Sequence, residues 1–152
     1  MTTGHPPPNP AALRAQLRRR LQYLDDLLRS GLDDYFSRDD DPEVRQAVRE
    51  RIQYYIAQAE RVLSSLPEEV PFSVQQVLMD VPVQVVDEET GAPESFTVVG
   101  PNEVDASAGM ISFLSPLGSA LLLKRVAETV ELEAPGGRFT FRVAMIGAAS
   151  QG

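Results

Sequence analysis

Two stretches of this chain carry apolar residues on a helical repeat, and an acidic turn separates them. Leu13, Leu17, Leu21, Leu24 and Leu28 recur at spacings of four, four, three and four, and Val44, Val48, Ile52, Tyr55, Ala59, Val62 and Leu66 keep the same rhythm. Such spacing draws a single apolar stripe along each helix. Neither segment has a second apolar face, so the simplest way to bury both stripes is to turn them toward each other in an antiparallel pair. Local signals agree with that reading. Asn9 can cap the first helix with Pro10 at its first position, and Ser30-Gly31 suits its end. Asp41 can cap the second helix, with Pro42 as its first residue. The pattern predicts an antiparallel coiled-coil hairpin over residues 9–68, its second helix about 39 Å long.

The turn of this hairpin spans residues 33–43, where six carboxylates and one arginine fall within eleven residues. Mutual repulsion makes such a tip unfavourable unless it faces solvent or a cation held by a partner. A plainer account also fits: Asp41 caps the second helix, Glu43 complements the helix dipole, and the remaining acids keep a loop soluble. Tyr35 and Phe36 suit packing back onto the last layer of the hairpin.

Composition narrows the chemistry. The chain has no cysteine and one histidine, His5, which excludes disulfides, Cys-ligated zinc and His clusters as its working parts. A formal net charge of −8 argues against free nucleic acid as the primary partner. Arg14 with Arg18, Arg19 and Arg20 forms a local basic run, read either as a solvated helix face or as a contact for an acidic surface. No apolar run approaches a membrane span, and Met1 to Asn9 is polar and proline-rich rather than leader-like. A cytoplasmic protein is expected.

Residues 1–8 read as a disordered tail, and residues 69–71 as a linker. Beyond it the composition turns to strands. Val77 to Val86 reads as one, Glu94 to Val99 as a second after the turn residues Asp87 to Gly91, and Met110 to Phe113 as a third. Ser115 and Pro116 cap and open a short helix. Thr129 to Leu132 and Phe139 to Ala144 flank the Pro135-Gly136-Gly137 turn. The fold class is α+β, a helical hairpin followed by a small sheet domain over residues 72–152.

The run Asp87-Glu88-Glu89-Thr90-Gly91, Phe96-Thr97-Val98-Val99-Gly100-Pro101, Ile111-Ser112, Ser115-Pro116-Leu117-Gly118, Ala120-Leu121-Leu122, Lys124-Arg125-Val126 and Ala134-Pro135-Gly136-Gly137 resembles the C-terminal domain of the bacterial Gre transcript-cleavage factors. The resemblance implies an FKBP-like domain preceded by a coiled-coil arm. It implies RNA polymerase as partner, entered through its secondary channel, with the arm's tip brought to the catalytic Mg²⁺. Asp39, Asp40 and Asp41, with Asp33 and Asp34, would then share that ion. Glu43, Tyr35 and the turn Ser115, Pro116, Leu117 and Gly118 are the residues expected to meet polymerase.

Four departures from the family pattern stand out. The cleavage-stimulating tip motif, Asp-Leu-Ser-Glu-Asn-like, is absent; the Asp cluster is more similar to the inhibitory Gre-factor homologues. The first helix is shorter than the family's by two or three turns, about 11 to 16 Å. Leu123 stands where a glycine is common, and Ala127-Glu128 where Gly-Asp is common. The resemblance thus implies a monomeric, non-enzymatic inhibitor that competes with Gre factors, needs no cofactor of its own, and uses the polymerase Mg²⁺. The alternative is a Gre-type stimulator of transcript cleavage. Prolyl isomerase activity rests on fold analogy alone, a weak warrant.

Overall fold

In a computed structural model, the residues described are 10–36, 41–65 and 75–147. The expected tail, the linker, Leu66, and the tip residues Asp39 and Asp40 lie outside them. The chain divides into two compact units.

The first unit is the helical hairpin. Helix α1 runs Pro10–Asp26 and α2 runs Pro42–Ser65, so α2 is about 36 Å long. The stripe on α1 differs from the simple repeat. Leu13, Leu17, Leu24, Leu27 and Leu32 are buried, whereas Leu21 and Leu28 are half-buried at its border. From Leu13 the seam steps 13, 17, 20, 24, 27, and the next four-residue step would fall on Gly31. A π turn over Leu27–Gly31 inserts one residue, with the Leu32 N–H bonded to the Leu27 carbonyl, and brings Leu32 into the seam instead.

The helix therefore does not stop at Gly31. That glycine is right-handed, φ −113°, and a 3₁₀ turn Leu32–Tyr35 continues the chain. Its lack of a side chain still matters, because a Cβ there would sit 3.2 Å from Leu27 Cδ1. Seam position 20 is filled by Arg20, buried, with its guanidinium 5.0 Å from the Tyr23 ring centroid. The stem contributes apolar cover while the charge rests on the ring face. Arg20 thus leaves the predicted basic run, in which Arg18 and Arg19 are exposed and Arg14 half-exposed. On α2, Ile52, Tyr55 and Ala59 are the buried members of the stripe, while Val44 lies 51% exposed.

The second unit is a five-stranded sheet in the order β3-β2-β1-β5-β4, built from β1 (Val83–Asp87), β2 (Pro93–Val99), β3 (Met110–Ser112), β4 (Thr129–Ala134) and β5 (Gly137–Ile146). All pairs are antiparallel except β2 with β3, which is parallel. Alternation buries Val83, Val85, Phe141 and Val143 on one face, where Phe96 and Phe141 meet edge to face with centroids 6.4 Å apart. Opposite them Arg138 bridges Glu131 and Glu133 in the exposed β4–β5 hairpin.

The predicted strand Val77 to Val86 is interrupted. Asp80 takes φ +71° in a turn closed by the Val81 N–H on the Leu78 carbonyl, and Pro82, which has no N–H to give, follows it. Val77, Leu78 and Met79 are consecutive and all buried, a core plug rather than a strand. Backbone bonds from Val77 N to Lys124 O and from Leu123 N to Val77 O tie this plug to the segment after the short helix α3 (Pro116–Leu121).

Candidate functional site

The hairpin tip is built by the end of the first helix and the start of the second. Asp33, Asp34 and Tyr35 lie in the 3₁₀ turn that follows the π turn, and Asp33 and Asp34 are exposed. Tyr35 and Phe36 are half-buried. At the far side of the tip, Asp41 caps α2: its carboxylate accepts the Glu43 N–H at 2.9 Å and its carbonyl accepts the Val44 N–H at 2.9 Å. Glu43 stands exposed in the first turn, where a negative charge complements the helix dipole. One oxygen of Asp41 is thus engaged in the cap.

Two arginines that the sequence reading passed over fasten this tip. Arg49 Nη1 donates to the Leu28 carbonyl at 2.9 Å, a carbonyl within the π turn. A cation at this point also complements the negative end of the helix. Arg45 Nη1 lies 3.7 Å from Asp33 Oδ1, and its guanidinium sits 5.7 Å from the Phe36 ring centroid. The signal was there: Arg45 and Arg49 are four apart on α2, bordering the stripe at Val48 and Ile52, so both project from one face.

The described part of the tip does not assemble a metal cage by itself. Among the described residues, no group of three or more His, Cys, Asp or Glu side chains is placed to hold an ion. What the described tip offers is exposed carboxylates, oxygen donors suited to completing the shell of a hard cation held elsewhere.

The other candidate residues lie in the sheet unit. Ser115 caps α3, its Oγ accepting the Gly118 N–H at 3.0 Å while donating to the Ser112 carbonyl at 2.7 Å. Pro116 is exposed and Leu117 half-buried at the first turn, and Gly118 is buried. A Cβ at Gly118 would collide with the Ser112 carbonyl, so the turn demands glycine for close approach rather than for its φ. The four residues form one rigid turn, with Pro116 on its outer surface.

A family model described as "Transcription elongation factor, GreA/GreB, C-term" matches residues 73–148, half of the chain. Similar curated proteins include the transcription elongation factor GreA of Desulfovibrio desulfuricans, 39% identical over 71 residues, which are 47% of this chain and 44% of that protein. GreA of Rhodospirillum rubrum is 41% identical over 64 residues, covering 42% of this chain and 41% of that protein. The similarity thus spans less than half the length of these relatives. Among solved structures, a GreA/GreB elongation factor from Nitrosomonas europaea superimposes with TM-score 0.54 at 28% identity, covering 83% of this chain and 90% of that one. Gfh1 of Thermus thermophilus, 29% identical, covers 90% of this chain and 91% of its own at TM-score 0.44.

Proposed function

This chain belongs to the GreA/GreB family of transcription elongation factors, and from that premise we propose that it binds bacterial RNA polymerase through the secondary channel and inhibits it at the catalytic Mg²⁺. The hairpin enters the channel and the sheet unit, through the turn Ser115 to Gly118, meets the channel rim. The ion belongs to the polymerase, and the chain supplies oxygen donors to it from among Asp33, Asp34, Asp39, Asp40 and Asp41. A divalent ion shared with an incoming acidic tip no longer stabilises the charge that develops during nucleotide addition, and catalysis slows. Occupying the channel also excludes Gre factors, so the two compete. On this reading the chain is a cytoplasmic, monomeric modulator without a catalytic centre of its own.

The observation that supports the reading is the pair of exposed carboxylates, Asp33 and Asp34, at the turn of a two-helix hairpin in a chain of this family. A second reading keeps the partner and reverses the sign: the tip retains Mg²⁺ in a form that activates water and stimulates cleavage of backtracked RNA. The similarity to proteins named GreA favours it. One experiment separates the two. The chain is added to polymerase halted in a backtracked complex with end-labelled RNA, and cleavage and restart are both followed. Inhibition predicts slower cleavage and slower restart, relieved by added Mg²⁺. Faster cleavage gives the second reading, and no effect on either refutes both.

A further inference from the structure

We propose that Arg45 is a positioning residue for the tip, holding the Asp33 carboxylate and the Phe36 ring in one arrangement so that Asp33 is presented ready-oriented to the cation it meets. This rests on the functional reading above and deepens it. The carboxylate and the guanidinium differ in exposure: the Asp33 side chain is 78% exposed, the Arg45 side chain 33%. The cation is therefore held against the hairpin while the acid faces outward. Phe36 closes the arrangement from below, its ring 5.7 Å from the guanidinium carbon. The base is fixed as well, since the Arg45 N–H bonds to the Asp41 carbonyl at 3.3 Å, and one turn further along Arg49 grips the Leu28 carbonyl.

The chemistry of such a clamp is preorganisation. A carboxylate on a loosely held turn must be ordered when it meets its ion, and six like charges in eleven residues oppose that ordering. A guanidinium placed beside one of them reduces the repulsion and sets its direction. Arginine suits the task because its planar head can lie on an aromatic ring and donate to a carboxylate together, which an ammonium does less well.

The test uses the full chain with halted polymerase and two readouts, the concentration giving half-maximal effect and the size of the effect at saturation. The variants are Arg45→Ala, Arg45→Lys, Arg45→Met, Asp33→Ala and the double variant Arg45→Ala with Asp33→Ala. Arg45→Ala is expected to keep the half-maximal concentration within about twofold and to cut the saturating effect roughly three- to tenfold, the range expected of one ion pair plus one cation–π contact. Arg45→Lys restores part of it. The double variant matches Asp33→Ala alone, because both changes remove one coupled unit. Arg45→Met keeps an unbranched apolar side chain at this position without the charge and must show the same loss, which separates positioning from folding.

A saturating effect for Arg45→Ala and Arg45→Met equal to wild type, or losses that multiply in the double variant, overturns the proposal while leaving the functional reading intact. A wild-type chain without effect on polymerase overturns the functional reading itself, and the proposal with it.

Discussion

Replacing Ala127 by glycine should stabilise the sheet unit, against the usual outcome of removing a side chain. Ala127 is the third residue of the turn Arg125-Val126-Ala127-Glu128, closed by the Glu128 N–H on the Arg125 carbonyl at 3.0 Å. It takes φ +79°, the conformation that this turn position reserves for glycine. The fold holds it there: the Ala127 N–H bonds to the Val143 carbonyl and the Val143 N–H to the Glu128 carbonyl, each at 2.8 Å, so the turn is stitched to β5. Left-handed backbone costs an L-residue about 1–2 kcal/mol. Glycine removes that cost and adds about 0.4–1 kcal/mol of unfolded-chain entropy. Ala127 is exposed, so its methyl group loses little burial. The net gain is about 0–1.6 kcal/mol, centred near 0.8, which is roughly 3–6 °C in the melting temperature of a unit this size. Thermal and urea unfolding followed by the NMR amide signals of β1 and β5, which belong to the sheet unit, would read it. Ala127→Val serves as the opposite control and should lower the transition. An unchanged or lowered melting temperature for Ala127→Gly would refute the argument that the turn stores strain.

Gly118→Ala should destabilise the sheet unit by about 1–3 kcal/mol, as overpacking does, since the new Cβ meets the Ser112 carbonyl and forces the Ser115 cap apart; the same unfolding curves measure it. Ser107→Ala tests a pH effect. The Ser107 hydroxyl donates to Asp105 Oδ1 at 2.7 Å and, with the Ser107 and Ala108 backbone N–H groups, holds that carboxyl below its ordinary value. A depressed folded-state value contributes stability that is present above the unfolded value and is lost as pH falls through the folded one. Ser107→Ala should therefore move the Asp105 titration upward in an NMR pH series and narrow the acid range in which the carboxylate persists; an unmoved titration would contradict the assignment.

Much of the fold was readable because its signals are local. The leucine and valine repeats gave the hairpin, and Ser115 with Pro116 gave the start of α3. The sequence reading failed where a long-range constraint overrode a local one. Counting at 3.6 residues per turn assumes an unbroken α-helix, so the inserted π turn at Leu27–Gly31, which carries the seam from Leu27 to Leu32 instead of Gly31, was not legible. Val77 to Val86 looks like one strand because a continuous apolar run does not reveal its own interruption, and the positive φ falls on Asp80, which carries no glycine signature. Leu123 and Ala127, where the resemblance leads one to expect glycine, both take left-handed backbone, φ +69° and +79°, a conformation that L-residues adopt at a cost. At the tip, the acids announced themselves by clustering, whereas Arg45 and Arg49 became legible only once α2 had placed them against the end of the first helix.

The claim that most needs testing is that the tip reaches the polymerase's catalytic ion. Fe²⁺ can replace Mg²⁺ in the assembled complex, and hydroxyl radicals generated there cut any backbone within a short distance. With the chain end-labelled, the account predicts scission confined to the tip, residues 33–43, and abolished by excess Mg²⁺. Scission elsewhere in the chain, or none while the complex remains bound, would contradict it.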